Sequence, residues 1–400
     1  GASFYGEVEK ERLDIAEKTF WAGGPHAAPD FNYGIIKGGK DKIATIRQLI
    51  VERRFAEADS LSRIYMTGDY TNYGYFSMVG NLWIDFGKNK QPVQNYLRGI
   101  DLSTSRGFVE YTQGGVQFNR EYFCSYPDKL MALHFTADKA GKISFSLSHS
   151  LVYQPEEVIE SENGLTFNGI IRENGLGYTI RIKIVQQGGS VKVAHQRIVV
   201  EKANEATVFY AVDTEYAPVY PLYKGENPQQ NTGKVITKAI TKGYETVKNT
   251  HISDYQTLYN RVRFTLTGDT ASEQLPTNMR VKQLQKGFTD DASLKVLGFN
   301  LSRYLLISAS RPGTLPSTLQ GVWNTFEKAP WNGNFQSNIN LQEMYWGCGP
   351  THLPECEEAY LEWIEGLVEP GRQTAREYYG TKGWVSHSTG NIWGHTVPGD

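Results

Sequence analysis

The 400-residue chain is too long for one hydrophobic core of ordinary size, so we expect two or more domains. Its formal net charge of −2, with no Lys/Arg run, excludes the basic surface of proteins that bind nucleic acid or an anionic membrane. No apolar run is long enough to cross a bilayer, so we expect no membrane insertion. The expected partner is therefore neutral or small.

The numbers of cysteines and aromatic residues narrow the class of protein further. Cys124, Cys348 and Cys356 are too few for a disulfide framework and match no zinc-binding spacing, although Cys348 and Cys356 could pair if the fold brings them together. The chain has 24 Tyr and 8 Trp, and such rings serve sugar-binding proteins as stacking platforms or simply fill a β-rich core. Composition leaves both uses open.

The first half of the chain is typical of an antiparallel β-sandwich with one embedded helix. Residues 41–65 place apolar side chains at helical spacing, which predicts that helix. Elsewhere the period is two: GFVEYTQGGVQFNREYF alternates across a Gln-Gly-Gly turn and predicts a hairpin. Further alternating segments, such as KISFSLSHSLVY, extend this pattern. We therefore predict a sandwich domain over residues 1–215.

Helical spacing dominates after residue 215. The segment YAPVYPLYKGENPQQNTG carries three Pro and two Gly, which marks a boundary, and the residues after it predict a connecting helix within a linker at 216–285. TDDASLKVLGFNLSRYLLISASRPG predicts a helix that buries Leu294, Leu297, Leu301, Tyr304, Leu305 and Ser308. LPECEEAYLEWIEGLVEPGRQTAREYYG predicts another, interrupted near Pro370 and ended by Gly380. Residues 286–400 are predicted to form the third unit.

A long connection, roughly residues 313–353, separates these two helices and is rich in Trp, Asn and Gln. Connections of this length inside a compact domain are usually functional. Flat aromatic faces and amides match the C–H face and hydroxyl groups of a sugar, but amides also brace turns. Within it, Asn338 and Asn340 are two apart, so an extended segment would point both amides to one side and turn Ile339 into the core. Ligand contact and turn bracing remain equal alternatives for this pair.

Several blocks resemble glycoside hydrolase family 95, which contains inverting α-L-fucosidases and some α-L-galactosidases. The blocks are RYLLISASRPGTLPSTLQGVWN, PWNGNFQSNINLQEMYW and GRQTAREYYGTKGWVSH, with EKTFWAGGPH and VGNLWIDFG earlier in the family's order. The resemblance covers nearly the whole chain. It implies an N-terminal β-sandwich, a helical linker and the first part of an (α/α)6 barrel. It also implies a hydrolase that needs no metal or cofactor and works in the periplasm or outside the cell.

The resemblance gives the amide pair a role. In the family the second Asn, here Asn340, positions and helps deprotonate the attacking water, and the first, here Asn338, assists it. A later Asp polarises this arrangement and a later Glu protonates the departing oxygen; both are expected beyond residue 400. The family also has a Gly-rich strand ahead of residue 1, so the resemblance implies an internal portion of a longer enzyme. Glu343 is expected to have a supporting role, and Asp400 is either a site residue or a helix cap.

Sugar contacts are implied at four more positions. Trp393, in GNIWGH, matches a family Trp that lies near the sugar, and His387 and His395 flank it. A lone His is more often a satisfied structural residue than a ligand contact, so both uses stay open for this pair. Gln336, where the family more often has Thr or His, faces the substrate's variable edge in the resemblance. It leaves open whether L-fucose or L-galactose is preferred.

The leading hypothesis is an exo-acting, inverting hydrolase that removes a terminal α-L-fucose, typically 1,2-linked, from an oligosaccharide. An α-L-galactosidase or another terminal L-sugar hydrolase of the same family is the nearest alternative. A non-catalytic glycan-binding protein is an alternative from a different class, because aromatic and amide side chains serve binding as well as turnover.

Overall fold

The computed structural model describes residues 1–268, 271–287 and 291–399, and strands fill most of its first half. The strands of that half are, in chain order, β1 Ala2–Phe4, β2 Lys10–Trp21, β3 Phe76–Asp85, β4 Val93–Asp101, β5 Arg106–Gln113, β6 Val116–Ser125, β7 Leu130–Ala137, β8 Ile143–Leu151, β9 Glu157–Ser161, β10 Gly164–Ile171, β11 Leu176–Gln187, β12 Ser190–Ala194, β13 Arg197–Ala203 and β14 Glu205–Thr214.

These strands form two antiparallel sheets that pack as a sandwich, as the alternating pattern predicted. One sheet has the order β1-β2-β3-β8-β13-β12, and the other β4-β5-β6-β7-β14-β11-β10-β9. The predicted hairpin is confirmed: Gln113 pairs with Val116 across Gly114 and Gly115, whose φ angles of 59° and 70° suit a turn that only glycine adopts at low cost. Both sheets contribute fully buried side chains to the core, including Leu82, Val109, Leu133, Leu147, Ile182 and Val208.

Helices dominate the second half, and two more helices lie between β2 and β3 in the chain. They are α1 Gly39–Val51, α2 Phe55–Tyr65, α3 Pro228–Lys242, α4 Tyr244–Tyr259, α5 Thr277–Gln285, α6 Ala292–Ala309, α7 Asn340–Tyr345, α8 Pro354–Gly366 and α9 Val368–Thr374. A π-helical turn, Ala375–Tyr379, extends α9, and the left-handed Gly380 ends it as predicted. No helix in the described part of the chain is both long and apolar enough to cross a membrane.

The prediction of one helix over residues 41–65 is wrong. Arg53 adopts a left-handed conformation (φ 60°) and separates α1 from α2. Ile46, Leu49 and Ala58 form the small core between the two helices, whereas Ile50 and Ile64, which a single helix would have buried, are exposed. The two halves of the apolar pattern therefore face each other.

The predicted connecting helix is also divided, at Gly243 (φ 75°), into α3 and α4. Together they cover the outer face of β7 and β14, and this explains the nearly continuous apolar run LMALHF, which is buried on both sides. The break in the last predicted helix lies at Leu367, between α8 and α9, and not at Pro370. The domain boundaries at 215 and 285 stay predictions.

The predicted buried face of α6 is partly wrong. Leu301 and Leu305 are exposed, while Arg303 is buried. The Arg303 guanidinium donates to the carbonyls of Leu258 and Tyr259 at the end of α4, at 3.1 and 2.7 Å, so that burial satisfies unpaired helix-end acceptors. Cys348 and Cys356 are buried as free thiols.

Candidate active site

The connection between α6 and α8 is held against the first strand residues of β3. Asn324 and Ala329 hydrogen-bond the Phe76 carbonyl at 3.3 and 3.0 Å. Gly333 has a φ of 63°, and a Cβ there would lie 2.6 Å from the Phe76 Cβ, so only glycine fits this approach. Trp331 and Asn332, just before it, are also left-handed, at 55° and 58°. This strained turn sets the direction in which the chain enters the amide-rich segment.

Asn338 and Asn340 lie at a tight turn that leads into α7, and both are exposed. The turn is closed by the Gln342 side chain, which donates to the Ser337 carbonyl at 2.6 Å, and by the Glu343 N–H, which donates to Ile339 at 2.9 Å. The prediction that Ile339 turns into the core is wrong, since it is 43% exposed; a turn does not alternate sides as a strand does. Within the described residues, neither amide side chain has a hydrogen-bond partner.

A short strand pair brings two predicted parts of the site together. Strands β15 (Phe335–Gln336) and β16 (Thr389–Gly390) are antiparallel, with Gln336 opposite Thr389. The Ser337 N–H donates to the Ser388 carbonyl at 2.8 Å, and its hydroxyl donates to the His387 carbonyl at 3.1 Å. The segment with the amide pair and the segment with the histidines are therefore neighbours, although they are far apart in sequence.

Gln336 makes a hydrogen bond to Asn334, a residue that sequence reasoning missed. Its side-chain amide donates to Asn334 Oδ1 at 2.8 Å, and Asn334 lies near the Tyr73 hydroxyl. That hydroxyl donates to the Gly390 carbonyl at 2.8 Å. Burial raises the pKa of Tyr73 well above its ordinary value. Asn334 stands two residues before Gln336, and that spacing was the signal in the sequence.

His387 is half-buried and uses both ring nitrogens. Its Nδ1 lies 2.7 Å from the Thr396 carbonyl, which can only accept, so Nδ1 carries the proton and donates. Its Nε2 lies 2.7 Å from the Tyr379 hydroxyl. These two contacts fix the ring plane of His387, whose own carbonyl accepts from the Ser337 hydroxyl.

His395 lies between two tyrosine rings and is only 3% exposed. The centroids of Tyr70 and Tyr73 are 4.7 and 4.6 Å from its own. A Cβ on Gly34 would lie 2.8 Å from the ring, so the backbone closes tightly over the third side. Burial lowers the pKa of His395 to about 3, and its Nε2 has no partner within the part of the chain that the structure describes.

Trp393 is 1% exposed, so its ring offers no free face in this structure. Its Nε1 donates to the Ala22 carbonyl at 3.0 Å, and the rings of Tyr216 and Tyr223 meet it edge to face at 5.4 and 6.0 Å. Its predicted contact with a sugar stays a prediction. Here the ring anchors the segment that carries the histidines to the sandwich domain.

Asn391 is the second residue that sequence reasoning missed. It is buried, and its Nδ2 donates to the Tyr73 carbonyl at 2.7 Å. Its Oδ1 accepts from the N–H groups of Trp393 and His395 at 2.9 and 3.2 Å. One amide therefore ties the turn at residues 391–395 to the loop that precedes β3.

The predicted residues do not line the large cavity of the molecule. That cavity has a volume of about 1310 Å³ and is lined by residues that include Lys18, Tyr210, Trp323 and Trp363, but by none of the six predicted site residues. Burial lowers the pKa of Lys18 to about 7, and its amino group hydrogen-bonds the Thr314 hydroxyl at 3.2 Å. The surface around the amide pair therefore stays the predicted site, outside this cavity, with the Asn338 and Asn340 side chains exposed.

Glu343 is exposed on α7, and Asp400 lies outside the described residues. No group of three or more His, Cys, Asp or Glu side chains in the described ranges is arranged to hold a metal ion.

Comparison with known proteins relates the chain to glycoside hydrolases. Residues 243–400 match the model of the glycosyl hydrolase family 95 catalytic domain, and residues 1–218 match that of the glycosyl hydrolase family 65 N-terminal domain. A solved structure of a putative kojibiose phosphorylase from human microbiome shares the fold, with a TM-score of 0.53 and 10% identity over 98% of this chain and 53% of that one.

Two curated relatives match the whole chain. Alpha-L-fucosidase 2 of Arabidopsis thaliana is 32% identical over 100% of this chain and 50% of its own length. Probable alpha-fucosidase A of Aspergillus niger is 30% identical over 100% of this chain and 51% of its own length. The chain thus spans about half the length of the curated relatives it matches. These matches relate residues 243–400 to the catalytic domain of glycosyl hydrolase family 95, and the whole chain is similar to the corresponding half of two alpha-fucosidases.

Proposed function

We propose that the protein is an exo-acting, inverting glycoside hydrolase that removes a terminal α-L-fucose, typically 1,2-linked, from oligosaccharides. The observation that carries the proposal is the pair of exposed amides, Asn338 and Asn340, at a turn that rigid contacts hold in place. The names of the two relatives, both fucosidases, support the choice of sugar. L-Galactose, which differs by one hydroxyl group, is the nearest alternative.

An inverting hydrolase needs a water molecule on one face of the sugar and an acid on the other. In our proposal the Asn340 side-chain oxygen accepts a hydrogen bond from that water, and Asn338 holds it from a second side. An amide oxygen orients water well but is a very weak base, so a carboxylate must polarise the arrangement. We assign neither this carboxylate nor the acid to a residue of this chain. Glu343, three residues after Asn340 on α7, is given a supporting role.

We assign the sugar contacts by the solvent exposure of each predicted side chain. Gln336 and His387 are partly exposed beside the turn, and we propose that they contact the sugar. The resemblance also places Trp393 and His395 near the sugar, but both are buried. In this proposal they do not touch the sugar and instead fix the backbone of residues 391–395.

The test is replacement of Asn340 by Ala or Gly in the whole protein, with release of L-fucose from a 1,2-linked oligosaccharide as the assay. We expect kcat to fall at least about 100-fold, the lower end of what a positioned general-base group contributes, while the melting temperature stays unchanged. Asn249→Ala is the matched control, because Asn249 is an exposed amide on α4, remote from the site in the chain. Unchanged turnover by Asn340→Ala would overturn the proposal.

Two further measurements separate the alternatives. Proton NMR of the first product anomer should show β-L-fucose, and α-L-fucose would exclude inversion. Turnover of nitrophenyl α-L-fucoside and α-L-galactoside by one preparation ranks the two sugars. Binding of these glycosides without any turnover would favour the non-catalytic glycan-binding alternative.

A further inference from the structure

Asn338 and Asn340 lie inside a ring of six residues, 337–342, that a side-chain hydrogen bond closes. The Gln342 amide donates to the Ser337 carbonyl at 2.6 Å, five residues back along the chain. Ser337 is itself fixed, because its N–H donates to the Ser388 carbonyl at 2.8 Å. The ring therefore begins at a residue that is tied to the neighbouring segment of the candidate site.

The other end of the ring lies on α7, which the protein core anchors. Leu341 and Tyr345 are 1% and 3% exposed, and the Tyr345 hydroxyl accepts from the Ser317 N–H at 3.0 Å. Ile339 stands at the N-cap position, where none of the described side chains caps the helix. A helix of six residues is too short to hold its first turn by its own backbone bonds. The Gln342 side chain supplies the missing link between this turn and the residues ahead of it.

The amide group of Gln342 can take only one orientation. The Ser337 carbonyl only accepts, so a rotation of the amide by 180° would bring two oxygens to 2.6 Å. In the orientation that remains, Gln342 Oε1 is buried and has no hydrogen-bond partner among the described residues. A buried acceptor without a partner is destabilising, and a methionine of similar length would fill the space without that cost. Packing alone therefore does not explain the amide.

We propose that Gln342 is a positioning residue for the attacking water and that it acts through Asn338 and Asn340. This inference rests on the proposed function, in which those two amides hold the water. The bond to Ser337 fixes the backbone direction of residues 338–340, and with it the direction in which both amide side chains point. A water that is held less precisely attacks more slowly. Binding of the sugar does not depend on this direction, so the effect belongs to the chemical step.

The test compares Gln342→Met with the wild type in the whole protein, by release of L-fucose from a 1,2-linked oligosaccharide. We expect kcat to fall by about 3- to 10-fold, the factor for loss of one hydrogen bond between uncharged groups, and KM to change by less than about twofold. Gln256→Met is the matched control. Gln256 is also half-buried and donates to the Ser103 carbonyl at 3.1 Å, in the turn between β4 and β5, so its replacement removes the same type of bond and should leave kcat unchanged.

Gln342→Glu provides a second readout that a purely structural role would not change. A protonated carboxyl group can donate to the Ser337 carbonyl as the amide does, whereas an ionised one has no proton to donate. The ratio of kcat between this variant and the wild type should therefore rise as the pH falls from about 7 towards the ordinary pKa of a glutamic acid, about 4.3. The same ratio for Gln342→Met should not depend on pH, because methionine does not titrate.

Three outcomes decide the proposal. A lower kcat for Gln342→Met at constant KM, together with the pH-dependent ratio for Gln342→Glu, supports it. An unchanged kcat, a rise in KM alone, or a Gln342→Glu ratio that does not depend on pH overturns it. Absence of turnover by the wild type refutes the proposed function instead, and hydrogen exchange of the backbone amides of residues 338–343 then decides the role of the bond. Faster exchange in Gln342→Met but not in Gln256→Met supports that role, and equal exchange overturns it.

Discussion

Replacing Gly24 by Ala should disrupt the packing around the Trp393 ring. Gly24 has a φ of 86°, and a Cβ there would lie 2.4 Å from Cδ2 of the Trp393 ring, at least 1 Å too close for ordinary contact. The loop cannot easily retreat, because the Gly24 N–H donates to Asn72 at 2.9 Å and Asn174 donates to the Gly23 carbonyl at 2.8 Å. The ring is itself buried and hydrogen-bonded to Ala22.

Two costs add in this variant. A left-handed conformation costs an alanine about 1–2 kcal/mol, and overpacking of a filled core costs about 1–3 kcal/mol more. We therefore expect Gly24→Ala to lower the free energy of unfolding by about 2–5 kcal/mol. Gly87→Ala separates the two costs, because Gly87 has a similar φ of 78° but nothing within 4 Å of a new Cβ. It should show only the first.

Urea unfolding of the wild type and both variants, followed by tryptophan fluorescence, measures the difference, and turnover is measured in parallel. Gly24→Ala should lose activity as well as stability, since a displaced Trp393 moves the backbone that Asn391 ties to Tyr73. Adding Trp393→Phe should reduce the cost of Gly24→Ala if the ring is the obstacle. Equal costs for Gly24→Ala and Gly87→Ala would refute the argument.

Three other perturbations test the same region and its support. Burial lowers the pKa of His395 from 6.5 to about 3, so its contribution to stability is complete above pH 6.5 and is lost as the pH falls. Between pH 6.5 and 5 this loss amounts to about 2 kcal/mol of the free energy of unfolding, at about 1.4 kcal/mol per pH unit. The His395→Gln variant should lack this loss when denaturant titrations are compared at the two pH values. Asn391→Ala leaves three buried backbone groups unpaired and should lower the free energy of unfolding by about 2–4 kcal/mol in the same titration. Arg311→Lys breaks a two-pronged ion pair with Asp254, at 2.8 and 2.9 Å, and should lower the free energy of unfolding by about 1 kcal/mol; no change would mean that α4 does not depend on this pair.

The sequence predicted the parts of the fold that local periodicity controls. The hairpin at Gly114–Gly115 followed from the period and from the need for positive φ, and the sandwich followed from repeated alternation. The break at Arg53 could not be predicted, because nothing in that residue type requires a left-handed conformation. Nor could the burial of Arg303, since its guanidinium is stabilised by carbonyls of a helix more than 40 residues earlier.

The candidate site shows the same limit at closer range. Spacing identified the amides, but a strand geometry was assumed for residues 338–340, where the chain turns into α7. Gln336 and His387 become neighbours only through a two-residue strand pair, which is too short to have a periodic signal. The contact of Tyr73 could not be predicted for a different reason: its hydroxyl bonds the Gly390 carbonyl, which lies in the other half of the chain.

Amides suit this surface because they orient hydrogen bonds without carrying a charge. Each Asn or Gln has a donor on one side and an acceptor on the other, so a fixed carbonyl at one end determines which group appears at the other. A carboxylate in place of Asn334 could still accept from Gln336, but its burial beside Tyr73 would be costly. None of these amides titrates between pH 3 and 10. If the proposed function is correct, the pH dependence of turnover therefore reports the carboxyl groups that work with Asn340, and the amide pair only sets where the water stands.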